Sequence, residues 1–311
     1  MEDCGDLQSN VEKARTKAAE FAPAARIADG YEDILSDPSI DVVDITVHPA
    51  DRLPIIEAAL KAGKHVLSQK PFVLDLYEGA RLVTMARDKG VKLAVNQNGR
   101  WSPHMAWMRE AVRAGLIGDV ISVHASVHWN HGWIAGSPFE KIDDLILYDF
   151  GIHWFDFVQS IVGDRAQSVF ASASAAPGQT AMAPLTAQAL IRLDRGQASL
   201  VFDGATPFGS RDATVITGTL DTLTSDGPDL GQQVVTLTTA DGWAVPKLQG
   251  TWFNDGFRGA MGALLVAIED DLEPANGAEE NLRSLALSFA AIRSRRTRHE
   301  VTVGTVTQLD V

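Results

Sequence analysis

Between residues 41 and 95 the sequence switches repeatedly between two periodicities, and this alternation restricts the fold more than any other feature. Residues 41–47, DVVDITV, are dominated by β-branched side chains. Such a run suits a parallel strand buried on both faces. His48-Pro49 breaks it, and residues 53–62 follow with strong helix formers and Gly63 placed as a C-cap. Residues 64–68 read as a second strand, residues 75–89 as an amphipathic helix closed by Gly90, and residues 91–95 as a third strand. Strand, helix, strand, helix, strand with short links predicts a parallel α/β sheet. Right-handed crossovers gather the strand carboxyl ends on one edge, where open sheets bind ligands. His48, Pro49, Gln69, Lys70, Gln97, Asn98 and Arg100 lie at such ends.

Two helical patterns, residues 11–21 and 31–35, precede this unit. After Arg100 the texture changes. Residues 104–114 read as a helix, 120–129 alternate as a strand, and 147–162 read as another helix. Then come strand patterns at 168–176, 187–193, 198–203, 212–217, 219–224 and 233–239, separated by Pro- and Gly-rich segments. Helices are predicted at 257–270 and 279–294, with a short edge strand near Val301. The basic cluster Arg293, Arg295, Arg296 and Arg298 reads as helix-end electrostatics. This half is predicted to be α+β with a mostly antiparallel open sheet. A chain of 311 residues suits two domains; the division is placed at residues 1–100 and 101–311.

Composition removes several function classes. The net charge of −13 argues against broad nucleic-acid binding and against anionic membranes. No apolar run approaches the roughly 20 residues of a membrane span. Cys4 is the only cysteine, so no intramolecular disulfide forms and a reducing compartment fits. The polar, acidic start is unlike a signal peptide, and a cytoplasmic location is expected.

The helix at 147–162 holds the first chemical candidates. Asp149 and His153 are four apart, on one helical face. Phe150, Trp154, Phe157 and Ile161 occupy the neighbouring face and read as core. A carboxylate one turn from an imidazole orients the ring and supports its cation, as an acid–base catalyst requires. Trp129, Asn130, His131 and Trp133 form a polar–aromatic group. Trp faces pack on C–H surfaces, while Asn and His meet hydroxyls. Trp252 and Asp255 are placed loosely in the same cleft. His124, His128 and His131 have the imidazoles a zinc site needs, but no carboxylate or thiolate stands at ligand spacing; no metal is expected.

Four segments then resemble one family in the right order. AGKHVLSQKP, from Ala62 to Pro71, resembles the AGKHVxxEKP signature of the Gfo/Idh/MocA oxidoreductases. Asn96-Gln97-Asn98-Gly99-Arg100 is similar to their QNxR turn, and the GLIG beginning at Gly115 to their GxIG turn. DFGIHWFD, from Asp149 to Asp156, resembles their DxGxHxxD helix. The resemblance runs from about Asp6 to about Val301. It implies a Rossmann domain followed by an α+β domain whose open sheet makes dimer or tetramer contacts. It implies hydride transfer between NAD, or NADP, and a hydroxyl carbon of a sugar, polyol or related compound. Catalysis then falls to Lys70, Asp149 and His153, with His153 as base, Asp149 orienting it, and Lys70 beside the reacting oxygen. The cofactor contacts are Asp6, His48, Pro49, Gln69, Lys70, Gln97 and Asn98. The substrate contacts are Arg100, Trp129, Asn130, His131 and Trp133.

Two departures stand out. Gln69 replaces the Glu of the family signature, so Lys70 loses a neighbouring carboxylate. No G-x-G-x-x-G opens the chain, although that turn cradles the pyrophosphate in a Rossmann unit. Cys4-Gly5-Asp6 resembles the end of the second strand, which places the start roughly 30 residues into a βαβ unit and predicts poor NAD affinity. Alternatives follow from this: the same fold using bound NAD for elimination, hydrolysis or epimerisation, or a non-catalytic binding or regulatory relative.

Overall fold

The structure, a computed structural model, describes residues 7–309. Helices α1 (Leu7–Phe21) and α2 (Tyr31–Ser36) lead into β1 (Val42–Ile45), α3 (Pro49–Lys61), β2 (His65–Gln69), α4 (Leu76–Lys89) and β3 (Leu93–Asn96). The three strands form one parallel sheet in the order β1-β2-β3. The proline that ends the strand run also starts α3, four residues earlier than its helix formers predict. Proline suits that first position because its missing N–H would have no partner there. Asp75 caps α4 by accepting from the Tyr77 and Glu78 N–H groups, and Gly90 closes it at φ 67°. One expectation is corrected. β1 pairs only with β2 among the described residues, so Val42 and Val43 are half-buried and Asp44 is exposed.

A turn at Asn98–Trp101 joins this sheet to α5 (Pro103–Arg113) and β4 (Val120–His128). After the segment at 146–162, described below, come β5 (Ala166–Ser174), β6 (Thr186–Leu193), β7 (Gln197–Asp203), β8 (Arg211–Gly218), β9 (Thr222–Asp229), β10 (Gln232–Thr239) and β11 (Gly242–Ala244). With β4 and a last short strand at Val301–Thr302, they make a nine-stranded sheet. Its order is β11-β10-β9-β8-β4-β7-β6-β5 followed by that last strand. Only β4 and β7 run parallel; the other pairs are antiparallel, as predicted. β9 starts at Thr222 rather than 219, because the Gly218 N–H donates to Asp221 O and makes residues 218–221 the turn. β6 alternates strictly, with Ala187, Ala189, Ile191 and Leu193 on the core side.

The last two helices, α6 (Trp252–Glu269) and α7 (Ala278–Thr297), return to the first sheet. α6 packs on the Asn98–Trp101 turn and on β3, and its Leu264 shares a small core with Leu67 and Ala94. α7 packs on β5, α4 and residues 152–162. Its Arg295 and Arg296 pair with Asp143 and Asp144, a more specific role than helix-end solvation. Among the described residues no helix is long and apolar enough to cross a membrane.

Candidate active site

The segment predicted as one helix over 147–162 is two pieces. Ile146–Phe150 forms a π-turn, and an α-helix runs over Ile152–Val162. The Gly151 N–H donates to Ile146 O, five residues back, at 2.7 Å. A Cβ on Gly151 would lie 2.6 Å from that oxygen, so glycine is required for close approach. Asp149 lies in the π-turn and His153 in the α-helix that follows it, so the two do not share one regular helix. No hydrogen bond joins them; instead Lys70 Nζ donates to Asp149 Oδ1 at 3.1 Å and to Asp149 O at 2.9 Å. The expected Asp149–His153 couple is therefore corrected to an Asp149–Lys70 couple.

Lys70 is held from both sides. It follows β2 directly, before a cis bond to Pro71. Arg52, buried in α3, donates to Val47 O at 2.7 and 3.1 Å and to the carbonyls of Gln69 and Pro71. One guanidinium thus grips the residues before and after Lys70. Burial draws the Arg52 pKa down to about 10, against the pull of Tyr148 and Asp149. The Gln69 side chain folds back, its Oε1 accepting from the Lys70 N–H at 2.8 Å. Arg52 was missed in the sequence because its partners are all backbone carbonyls, which leave no side-chain pattern.

The Lys70–Asp149 pair separates two hollows. One, of about 310 Å³, sits at the carboxyl ends of β1 and β2 against Val47, His48, Pro49, Arg52, Ile142 and Tyr148. The other, of about 380 Å³, is mostly aromatic. Trp129, Asn130, His131 and Trp133 reach it from the chain after β4, Phe150, His153 and Trp154 from the π-turn and its helix. Trp252, Phe253 and Phe257 reach it from α6, and Leu230 from the β9–β10 turn. Gln69, Lys70 and Asp149 face both hollows. The sequence pointed to the 129–133 group and, loosely, to Trp252. It missed Phe253, Phe257 and Leu230, which reach the site only through the tertiary fold.

His153 lines the aromatic hollow beside Trp252, ring centroids 5.4 Å apart. Gly99 packs behind it; a Cβ there would come within 2.9 Å of Trp252 and 3.4 Å of His153 Nδ1. That nitrogen is buried with no hydrogen-bond partner. Burial, and then the Lys70 charge, hold the His153 pKa well below the ordinary value, so the ring is neutral near pH 7. This reverses the expected support for its cation. His131 is likewise drawn down to about 4, chiefly by burial.

Other predicted residues are placed elsewhere. Arg100 does not reach either hollow. It is buried, bonded to both carboxylate oxygens of Asp156 at 2.7 and 2.9 Å and to Glu280 at 3.0 Å. Burial opposes its charge, but those two carboxylates outweigh it and raise its pKa. Gln97 is also buried, donating to Ile152 O at 3.0 Å rather than facing a hollow. Asn98 lines the aromatic hollow and accepts from Trp252 Nε1. Asp255 accepts from the Thr251 N–H and does not reach the cleft. His124 meets Ser199 Oγ at 2.7 Å, and His128 meets Ser126 Oγ at 2.6 Å; His128 opens onto a separate hollow with Asp203. Among the described residues no group of three His, Cys, Asp or Glu is placed to hold a metal. Asp6 lies outside the described residues.

Comparison with known proteins supplies independent findings. Residues 6–97 match a family model described as an oxidoreductase family with an NAD-binding Rossmann fold. Residues 105–224 match the GFO/IDH/MocA C-terminal domain. A 1,5-anhydro-D-fructose reductase of Ensifer adhaerens is 26% identical over 310 residues, covering 94% of this chain and 90% of that enzyme. A dTDP-3,4-didehydro-2,6-dideoxy-alpha-D-glucose 3-reductase of Streptomyces violaceoruber is 41% identical over 117 residues, 37% of this chain; the match spans only 33% of that enzyme. An oxidoreductase from Agrobacterium radiobacter, solved with NAD+, L-tartaric acid and magnesium, superposes with a TM-score of 0.83 at 19% identity. It covers 96% of this chain and 90% of its own.

Proposed function

The chain belongs to the Gfo/Idh/MocA family of oxidoreductases, and from that premise we propose that it transfers hydride between NAD, or NADP, and a hydroxyl carbon of a sugar-like ring or polyol. The shared wall carries this reading: Lys70 and Asp149 face both hollows, and hydride transfer needs two ligands meeting at one place. The dinucleotide's nicotinamide end takes the hollow at the strand ends, against His48, Pro49, Gln69 and Lys70. Its fit is supported by the position at parallel-strand carboxyl ends. It is supported also by Tyr148 Oη, buried there without a hydrogen-bond partner and suited to an amide or ribose hydroxyl. When bound, the nicotinamide supplies the flat hydride acceptor.

The chain's own groups do the rest. His153, neutral, takes the hydroxyl proton. Lys70 donates a hydrogen bond to the substrate oxygen as negative charge develops there. Asp149 fixes the Lys70 ammonium. Trp129, Asn130, His131 and Trp133 receive the substrate ring. The anhydrofructose reductase and the NAD+-bound neighbour support the same assignment. To this proposal belong a division of the chain near residue 100, supported by matches that end at 97 and resume at 105, and a cytoplasmic location. Self-association through the open sheet belongs here too, supported by Phe170 and Leu190, exposed and paired across β5 and β6.

The test is NADH absorbance with a panel of cyclic sugars and polyols. Production of NADH is expected, and His153→Ala should lower the rate about a hundredfold or more. An unchanged rate in that variant removes His153 from the mechanism. Product chromatography separates net oxidation from a transient oxidation that ends in elimination, hydrolysis or epimerisation.

A further inference from the structure

The three side-chain amides at the aromatic hollow are locked the same way round. Asn98 Oδ1 accepts from Trp252 Nε1 at 3.1 Å, Gln69 Oε1 from the Lys70 N–H at 2.8 Å, and Asn130 Oδ1 from the Gly132 N–H at 2.9 Å. An indole N–H and a backbone N–H only donate, so flipping any of these amides would set donor against donor. Each oxygen is turned to protein. The three NH2 groups make no hydrogen bond among the described residues and are left for a ligand.

Asn98 is the sharpest case. It is only 4% exposed, yet its Nδ2 is not sealed in the core. It lines the aromatic hollow and not the one at the strand ends. It stands on the His153 side, because Trp252, which holds its oxygen, lies 5.4 Å from the His153 ring. Gln69 adds a donor where the family signature carries a glutamate, an acceptor. The third Lys70 proton is a further donor, and Trp129 Nε1 and Trp154 Nε1 are buried donors without partners. Against these, the side-chain acceptors are the Asp149 carboxylate, which already holds Lys70, and the imidazoles. Of the imidazoles, His153 is taken by the reacting hydroxyl.

Donors in surplus select acceptors. A hydroxyl can accept from Asn98, but its own proton then needs an acceptor in a nearly closed corner, and a polar group left unpaired there is penalised. A carbonyl oxygen accepts and has no proton to place. Resting on the redox reading above, we propose that the substrate is a sugar-like ring with a carbonyl oxygen, of a carboxylate or an ester, beside its reacting hydroxyl. Asn98 Nδ2 donates to that oxygen, with Gln69 Nε2 in support. This moves Asn98 from the cofactor contacts expected of it to the substrate.

Calorimetry on the full chain, with and without NAD+, tests this with one ring in three forms: glucose, glucuronate and the methyl ester of glucuronate. Both carbonyl forms should bind at least about tenfold more tightly than glucose. Asn98→Asp keeps an oxygen for Trp252 and removes the donor, so the ester's advantage over glucose should vanish. A purely structural Asn98 would weaken all three ligands together and leave their ratios alone, which overturns the assignment. Gln69→Glu likewise keeps an oxygen for the Lys70 N–H and should narrow the ester-to-glucose ratio; it carries the test if Asn98→Asp does not fold. Glucuronate binding tightly while the ester matches glucose would mean that charge is read instead of the carbonyl, and overturns the proposal. So does glucose binding as well as both, or no binding by any of the three. NADH formation is read separately. Turnover that prefers glucose sinks the substrate assignment and leaves the redox reading, whereas the expected binding order without NADH from any ring does the reverse.

Discussion

Two ion pairs run from the edge of the parallel sheet to the same stretch of chain, and they are built in opposite ways. Arg100 and Asp156 are buried, bidentate and closed off; Ser284 Oγ also bonds Asp156 at 2.8 Å, and Glu280 completes the guanidinium. Lys70 and Asp149 meet through one ammonium–carboxylate contact at 3.1 Å, partly exposed between two hollows. Each guanidinium nitrogen of the first pair is bonded to protein, so the pair ties the turn after β3 to the 152–162 helix and to α7. The second leaves one of the three ammonium protons without a protein partner, beside hollows that a ligand can enter. Satisfied charge here is architecture; incompletely satisfied charge marks the chemistry.

The sharpest way to break the comparison is Arg100→Met, which strands the Asp156 carboxylate in the core. A loss of about 3–5 kcal/mol in urea unfolding is expected, and a loss below about 1 kcal/mol would make the two pairs alike. Lys70→Met is the converse. Its rate of NADH formation should fall about a hundredfold or more, roughly 2.7 kcal/mol of barrier. Its unfolding free energy should move by no more than about 1 kcal/mol. A folded, fully active variant would strip Lys70 of its role.

The smallest effect sharpens the picture through pH. Burial draws His104 and His131 down to about 4. The unfolded chain therefore takes up protons near pH 6.5 that the folded chain refuses, and stability falls as pH drops from about 6.5 to about 4. Asp212, its carboxylate 4.0 Å from His104, is pushed up to about 7 by burial first and then by Asp226 and Asp229. Its contribution runs the other way, declining as pH rises from about 4 to about 7. Asp212→Asn removes that offset, so thermal melts between pH 7 and 5 should show a steeper acid loss than the parent. An identical slope would mean that Asp212 is ionised in the fold.

Much of the fold was legible. The strand–helix alternation over 41–95 produced the parallel sheet, and the later strand patterns produced the antiparallel one, because burial on a sheet face writes a period of two into the sequence. Lys70, His153 and the 129–133 group were found at the hollow. Arg100 was misassigned because a charged residue at a strand end reads alike whether it meets ligand or a buried carboxylate. Whether β1 has one neighbour or two cannot be read from its own residues.

The sequence alone determined the two sheets, the parentage of the chain and the identities of its reactive groups, since these follow from local periodicity and short motifs. Only the tertiary structure decided the partnerships. Asp149, in the π-turn at Ile146–Phe150, pairs with Lys70, α6 brought Trp252, Phe253 and Phe257 across the molecule, and Arg52 gripped the turn around Lys70. Each depends on backbone geometry and on contacts between residues distant in the chain, which a linear pattern does not encode.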